Sequence, residues 1–285
     1  MDYHNLTGQE IMIVFAAIMP HPPMSMPGIG SENDMAALEK TLNAFESLRV
    51  GLEVADPDTI IVISPHAHLE PYAFVINSES EMLGSLSNFG NDHVYAYKNN
   101  IEIADKIAYA CSMNEMPAHL HPELLDHGTL IPLYHLLKNY PPAGRPKIVH
   151  LSFSLMNYQR HYRYGEIIQK VIDAVGEGPD TIDGHKEGRI AVIASGDLSH
   201  KVSPNSPMGF SPGAEEFNHS VIRFLGGNDL VSLMNMEPET IEMAAECGLR
   251  SIIVMLGILH DKQYKFELLS YEAPFGIGYL TARLL

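Results

Sequence analysis

The chain has 285 residues, of which 46% are apolar, so it can bury a sizeable globular core. Its 35 Asp and Glu residues outnumber 18 Lys and Arg residues, which gives a formal net charge of -17. A surface of this charge repels phosphate backbones and anionic lipids. We therefore expect neither nucleic acid nor a membrane surface as a partner.

The cysteines and the first apolar run indicate a compartment. The two cysteines, Cys111 and Cys247, are too few for a disulfide scaffold, which suits a reducing cytoplasm. The apolar run at 11–19 is too short to span a bilayer. No Lys or Arg precedes Lys40, so this run also lacks the basic region of a secretory signal. We expect a cytoplasmic protein.

Short apolar runs rich in β-branched residues alternate with segments of helical period. Strands are predicted at 11–19, 59–64, 147–153 and 189–195, with a further candidate at 72–76. Helices are predicted at 34–53, 100–113, 129–139 and 157–175. The alternation predicts an α/β fold whose central, mostly parallel or mixed sheet is flanked by helices. The continuously apolar strands fit a sheet that is covered on both faces.

The last third of the chain has a different pattern. Residues 213–261 read as helical almost throughout, with breaks at Gly226-Gly227 and near Pro238. Two strands at 265–272 and 276–284 then predict a closing hairpin. Loops are predicted at 78–99, 176–188 and 201–214, and none has the length or composition of a domain linker. Without internal repeats, the chain is expected to form a single domain over 1–285.

Three predicted strands run directly into a histidine. His21 follows in "PHPP", His66 in "PHAH" and His200 in "GDLSH". The flanking prolines end the first two strands, because proline cannot donate to the ladder. Residues just beyond the carboxyl ends of parallel strands can converge in one crevice. A single loop histidine is more often a surface or hydrogen-bonded residue, but three at corresponding strand ends favour a shared metal site.

His127, in "LLDHGTLIPLYHL", is a fourth candidate. Asp126 precedes it and a helix is predicted from Thr129, so its imidazole would lie near a helix N-terminus. The alternative is a helix-capping turn in which Asp126 or Thr129 is the cap. The two interpretations are compatible.

An oxygen ligand for the site is predicted in "EMAAECGLRSIIVM". Glu246 and Cys247 stand there where Gly248 interrupts a predicted helix. Two histidines and one carboxylate form the facial triad of non-haem Fe(II) oxygenases. The alternative for Glu246 is an exposed carboxylate without a ligand role.

Five motifs together resemble a known family. In chain order they are "MPHPPMSMPGIG", "ISPHAH", "LDHGTLIPLYHL", "ASGDLSH" and "AAECGLRSIIVMLG". They resemble the class III extradiol ring-cleaving dioxygenases of the LigB-type fold, and the match spans 11–283. Within that superfamily the chain is most similar to the LigB-like proteins that neighbour Memo and the AmmeMemoRadiSam system proteins, including the protein B branch. The closing "SYEAPFGIGYLTARL" is also similar to those members.

The resemblance implies roles for individual residues. It implies His21 and His66 as metal ligands, Glu246 as the carboxylate ligand and His200 as the catalytic acid/base. It implies that His127 contacts substrate or oxygen from the second sphere. Memo-like relatives place a cysteine near the carboxylate position, and Cys247 directly follows Glu246. A thiolate there would favour copper or zinc over an iron site that activates oxygen.

The function implied is an Fe(II)-dependent extradiol dioxygenase of aromatic catabolism, acting on a small catechol-type diol and O2. The alternative is a Memo-like protein that binds Zn or Cu as a redox or partner-binding module without ring cleavage. A zinc hydrolase or lyase ranks last, because no hydrolase motif is recognisable in the sequence. The apolar C-terminal helices would suit a homodimer, although a buried core explains them equally well.

Overall fold

A computed structural model describes residues 12–176 and 188–285. Its strands are β1 (Ile13–Met19), β2 (Thr59–Ser64), β3 (Phe74–Asn77), β4 (Glu81–Leu86), β5 (Asn91–Lys98), β6 (Ala118–His121), β7 (Lys147–Ser152), β8 (Ile190–Ser195), β9 (Glu267–Glu272) and β10 (Tyr279–Arg283). Its helices are α1 (Glu32–Ala37), α2 (Glu39–Ala55), α3 (Ile101–Met113), α4 (His127–Leu137), α5 (Tyr158–Gly176), α6 (Ala214–Gly226), α7 (Leu230–Met234), α8 (Pro238–Ala244) and α9 (Leu249–Ile258). Residue 11 of the first predicted strand and residues 177–187 of a predicted loop lie outside the described residues. Within the described ranges, no helix is both long enough and apolar enough to cross a bilayer.

Eight strands form one sheet in the order β6-β3-β7-β2-β8-β1-β10-β9. The four central neighbours β7, β2, β8 and β1 are parallel to one another. On one side β3 pairs antiparallel with β7, and on the other β10 pairs antiparallel with β1. The predicted α/β fold with a mostly parallel, mixed sheet is therefore confirmed.

Both faces of the sheet are buried, which explains why its central strands are apolar throughout. In β2, Ile61 and Ile63 pack into the cluster that α3, α5 and α9 help to form. Ile60 and Val62 point to the opposite face and pack with residues of α2 and α4. Because side chains alternate along a strand, apolar residues at every position require helices on both sides.

Local pattern alone did not predict every element. The segment 78–99, predicted as a loop, contains the antiparallel hairpin β4–β5, which forms a separate two-stranded sheet. The edge strand β6 was not predicted, because its sequence, AHLH, has no apolar run. The helix predicted at 34–53 is divided at Leu38 into α1 and α2. The closing hairpin is confirmed as β9–β10.

Two helices on one face of the sheet, α5 and α9, approach closely through glycine. A Cβ atom on Gly257 would lie 2.2 Å from the carbonyl oxygen of Tyr162. A Cβ atom on Gly165 would lie 2.2 Å from the carbonyl oxygen of Val254. Both obstacles are backbone atoms, which cannot move aside as a side chain can. The sequence therefore sets the spacing of these helices through two residues without side chains.

This close approach predicts that Gly257→Ala lowers the free energy of unfolding by about 1–3 kcal/mol, the usual cost of overpacking a core. Gly226→Ala is the matched control, because a Cβ there meets only the Phe266 ring, at 3.8 Å. Urea unfolding followed by circular dichroism measures both variants. Equal transition midpoints for the two would contradict the tight approach.

Candidate metal centre

Two of the predicted histidines meet at the carboxyl edge of the parallel strands. His21 follows β1 and His66 follows β2, and β8 lies between these two strands in the sheet. The Nε2 atoms of the two imidazoles are 3.1 Å apart. His21 is buried, whereas His66 lies at the exposed rim. The site is thus closed on the sheet side and open to solvent at His66.

A chain of hydrogen bonds fixes the orientation of the His21 ring. The Ser195 hydroxyl at the end of β8 donates its proton to the Gly128 carbonyl oxygen at 2.5 Å, so it cannot also donate to His21. Its oxygen, 2.9 Å from His21 Nδ1, therefore accepts from Nδ1–H. The lone pair of His21 then resides on Nε2, the atom that faces His66. Such outer contacts orient metal-binding histidines and fix their tautomer.

The Gly128 carbonyl is available for this contact because of a proline. Pro132 lies inside α4, four residues after Gly128, and has no N–H to donate to the Gly128 oxygen. Ser195 supplies the missing donor. Gly128 also has no room for a side chain, because a Cβ would lie 2.7 Å from Ser64 Oγ. The motif "HGTLIP" thus connects a helix irregularity to the orientation of His21.

His127 is held at the start of α4 beside the other two imidazoles. Asp126 caps this helix by accepting from the Thr129 backbone N–H at 3.2 Å. Of the two caps proposed from the sequence, Asp126 and Thr129, the structure therefore shows Asp126. The His127 ring stacks on His66 with centroids 4.1 Å apart, and its centroid is 5.2 Å from that of His21. One ring nitrogen from each of the three histidines lies within 4.8 Å of the others. His127 is therefore close enough to be a ligand as well as a second-sphere residue.

The clustered histidines favour the neutral form. Burial, followed by the neighbouring imidazoles of His66 and His127, holds the pKa of His21 well below its ordinary value. Partial burial and then His127 lower the pKa of His66 to about 4. Burial also lowers the pKa of His127. Neutral imidazole is the form that binds metals.

The Asp126 carboxylate is held in place by hydrogen bonds from Ser64 and from His150, a histidine that the sequence analysis did not identify. Burial alone would raise the pKa of Asp126, but hydrogen bonds from His150 and Ser64 hold it below its ordinary value. His150 Nε2 is 3.1 Å from one Asp126 oxygen, and Ser64 Oγ is 2.6 Å from the other. His150 stands inside the apolar strand β7, where no local pattern distinguishes it from a satisfied core histidine.

Asp197 and Cys247 form a second donor group with His21. Asp197 Oδ2 is 3.6 Å and Cys247 Sγ is 3.7 Å from His21 Nε2. The Asp197 carbonyl oxygen accepts from the N–H groups of Cys247 and Gly248, at 3.1 and 2.9 Å. This contact is possible because Gly196 and Gly248 face each other, and a Cβ on Gly196 would lie 2.1 Å from Gly248 Cα. Burial, with Asp197 beside it, holds the pKa of the Cys247 thiol well above its ordinary value.

Glu246, predicted as the carboxylate ligand, belongs to neither donor group of the described residues. Its Oε2 accepts from the Leu249 backbone N–H at 2.6 Å and so caps the start of α9. Its side chain lines a cavity shared with Tyr158 and Arg250. Burial raises its pKa. In the turn before α9 it is Cys247, not Glu246, that faces the histidines.

His200 faces the same site from the loop after β8. Its Nδ1 is 2.6 Å from the carbonyl oxygen of Ala245, which can only accept, so Nδ1 carries the proton of the neutral ring. Its Nε2 then has the free lone pair and lies 3.9 Å from Asp197 Oδ2. Burial raises the pKa of Asp197 to about 6. His200 is thus placed to exchange a proton at Nε2 within the site.

Two separations measured from His21 Nε2 match those between two ligands of one transition-metal ion, whereas His66 and Cys247 share no donor group within 4.8 Å among the described residues. Two nitrogens that each bind one metal at about 2.1 Å lie roughly 3.0–3.4 Å apart, and a nitrogen and a thiolate about 3.6 Å apart. The observed 3.1 Å between His21 and His66, and 3.7 Å between His21 and Cys247, agree with these values. Imidazole and thiolate suit borderline and soft metals such as Fe(II), Zn and Cu. Binding requires the thiolate and would release its proton.

Comparisons with known proteins place the chain in a family and relate it to a known fold. A family model described as the catalytic LigB subunit of aromatic ring-opening dioxygenase matches residues 15–282. Protein CA_C1420 of Clostridium acetobutylicum is 30% identical in an alignment of 278 positions that covers 94% of this chain but 56% of that protein, so the chain spans about half its length. The 3,4-dihydroxyphenylacetate 2,3-dioxygenase of Escherichia coli is 26% identical in an alignment of 235 positions that covers 76% of this chain and 79% of the enzyme. The crystal structure of the uncharacterized protein JW3007 from Escherichia coli K12 has a TM-score of 0.66 and 18% identity, covers 95% of this chain and 99% of its own, and shows the fold alone.

The hydrogen-bond chain through Ser195 predicts that Ser195→Ala weakens Zn²⁺ binding by about 10- to 100-fold, the usual effect of losing an outer-shell partner. Without the hydroxyl, the buried Nδ1–H of His21 has no acceptor and the ring can turn. Competition with a chromogenic chelator measures the affinity. Ser251→Ala is the control, because the buried Ser251 hydroxyl has no hydrogen-bond partner among the described residues. Equal affinities for the two variants would contradict the orienting role.

Proposed function

Because this chain belongs to the family of the catalytic LigB subunit of aromatic ring-opening dioxygenase, we propose that it is a metal-dependent extradiol dioxygenase. Its substrate would be a small aromatic ring with two adjacent hydroxyl groups. Both atoms of O2 would enter the product as the ring bond beside the diol breaks, giving a muconic semialdehyde-type compound. The observation that carries the proposal is that imidazole and thiol donors meet at the carboxyl edge of the sheet, with His200 Nε2 facing them.

His21, His66 and Cys247 would hold the metal, with Fe(II) as the ion for this chemistry. Because His66 and Cys247 share no donor group within 4.8 Å, the Cys247 side chain would turn toward His66 when the ion binds. When bound, the ion supplies a Lewis acid and open positions at which the diol and O2 can meet. Cys247 replaces Glu246 as the third ligand in this proposal, since the Glu246 carboxylate is engaged at the start of α9. His127 stays in the second sphere, stacked on His66.

The remaining residues of the site would bind the diol and move its proton. His200 Nε2 would take a proton from a diol hydroxyl and return it when the ring opens, because its Nδ1 is occupied by the Ala245 carbonyl. Phe89, from the loop between β4 and β5, has its ring centroid 5.1 Å from that of His127. These two rings would form an aromatic wall against the substrate ring.

A metal-binding redox or partner-binding protein of the Memo-like type is the second candidate. The observation that favours it is the thiol of Cys247 among the donors, where the sequence predicted a carboxylate. A thiolate donor favours Zn or Cu over an iron site that activates oxygen. Both candidates place one LigB-type domain over 1–285. Both also place the chain in the cytoplasm, which its two free thiols favour.

Oxygen uptake distinguishes the two candidates. The protein is purified without oxygen, its metals are measured, and it is loaded with Fe(II) before assay with 3,4-dihydroxyphenylacetate and catechol. We expect uptake that depends on the diol and is absent with 4-hydroxyphenylacetate, which has one hydroxyl. Native Zn or Cu with no diol-dependent uptake after iron loading would favour the second candidate and overturn the first.

His200→Ala is expected to retain the metal but to lose turnover by about 10²-fold or more, the usual scale of general acid/base catalysis. The variant lacks the ring nitrogen that accepts the diol proton, while His21, His66 and Cys247 are unchanged. Steady-state oxygen uptake and metal analysis on the same sample measure the two quantities. Loss of the metal would instead identify His200 as a ligand and refute its proposed role.

The identity of the third ligand is tested by substituting Cys247 and Glu246 separately. Cys247→Ser should lose most of the bound metal, because its hydroxyl is a poorer donor than a thiolate. Glu246→Gln should keep the metal, because its oxygen can still accept from Leu249 N–H. Metal content after dialysis measures both variants. The opposite pattern would restore Glu246 as the ligand.

A further inference from the structure

A cavity of about 730 Å³ opens beside the metal centre and is separate from it. It lies beyond the carboxyl end of β7, between the segment 155–159, helices α7 and α8, and the start of α9. None of the donors His21, His66 or Cys247 lines it. The two sites share only the turn before α9, in which Ala245 and Glu246 face the cavity. Its size is in the range of pockets that hold small organic ligands.

Arg250 is the only cation among the described residues that line this cavity. Its guanidinium lies over the rings of Tyr158 and Phe153, at 5.4 and 5.7 Å from their centroids. Its buried Nε has no hydrogen-bond acceptor among the described residues. The arginine ion pairs within these residues are made elsewhere, by Arg49, Arg163, Arg223 and Arg283. Nε is too deeply buried to reach a ligand, but the terminal nitrogens of a planar guanidinium match a carboxylate in two hydrogen bonds.

The rest of the lining is suited to an aromatic body. Met156, Met234 and Met236 line the cavity together with Tyr158 and Ile241. Methionine sulfur makes favourable contacts with aromatic rings, and its flexible side chain adapts to their shape. A ligand that satisfied both this wall and Arg250 would carry a ring and an anionic group.

The acidic residues of the cavity limit the charge of that ligand. Glu246 is turned to the Leu249 N–H, and Glu242 lies exposed at the mouth. Because both carboxylates line the cavity with a single guanidinium, they disfavour a ligand with two or more negative charges. The combination selects a single carboxylate over a phosphate.

We propose that this cavity binds an aromatic monocarboxylate, with the carboxylate on Arg250 and the ring against the methionines. The site uses no residue of the metal centre and does not depend on the proposed ring cleavage. Its wall is nevertheless the segment whose Ala245 carbonyl holds His200. A ligand bound here would contact the backbone that positions His200.

Isothermal titration of the full chain with phenylacetate, and with its neutral analogue phenylacetamide, tests the proposal. We expect one phenylacetate per chain and binding of the amide weaker by about tenfold or more, since hydrogen bonds to charged groups are the stronger ones. Equal binding of acid and amide, or no saturable binding of the acid, would overturn it. The His21→Ala variant should bind phenylacetate as the unaltered chain does, whatever becomes of the metal centre. Loss of binding there would place the ligand in the metal centre and refute a separate site.

Two variants locate the binding within the cavity. Arg250→Gln should weaken phenylacetate binding by about tenfold or more, whereas Arg160→Gln, exposed on α5, should leave it unchanged. Met236→Trp fills the cavity and keeps Arg250, so it should also abolish binding. The Met236→Trp variant keeps the proposal testable if Arg250→Gln fails to fold. A thermal melt shows whether each variant is folded. Unchanged binding in a folded Arg250→Gln or Met236→Trp variant would refute the site.

Discussion

Parallel pairing of the central strands is the constraint on which the rest of the structure depends. In a parallel pair both strands run in the same direction. β1, β2 and β8 therefore end along one edge of the sheet, and the residues after them share one crevice. The chain returns through helices, which cover both faces and remove water from the sheet. The crevice therefore has a rigid, apolar floor. His21, Asp197 and Ser195 are buried against that floor, while His66 remains at the rim.

The polar groups buried against this floor have a specific arrangement because they are paired with one another. A buried polar group without a partner costs free energy, and each partner here comes from a different strand end or helix start. The Gly128 carbonyl lacks its helical donor, because Pro132 has no N–H, and it accepts a hydrogen bond from the Ser195 hydroxyl instead. The Ser195 oxygen in turn accepts from Nδ1–H of His21. A proline that would weaken an ordinary helix thus contributes to the order of the site. The Asp126 carboxylate caps the same helix, whose first residue is His127.

The turn before α9 divides two chemical environments. Ala245, with a left-handed φ of 51°, holds the His200 ring through its carbonyl. Glu246 turns to the helix start and the cavity, and Cys247 turns to the histidines. Three consecutive residues therefore serve three different surroundings. The contact of Asp197 with the backbone of Cys247 and Gly248 keeps this arrangement in place.

The sequence by itself determined the α/β fold, the central strands and the placement of His21, His66 and His200 after strand ends, because burial on both faces and strand-ending residues leave local patterns. It also indicated the helix start beside His127. Only the tertiary structure decided the hairpin β4–β5, the edge strand β6 and the partners Ser195 and His150, since these depend on contacts between distant segments. It likewise decided that the side chain of Cys247, and not that of Glu246, faces His21. Adjacent residues in a turn carry no periodicity, and their directions are set by Asp197, fifty positions away along the chain.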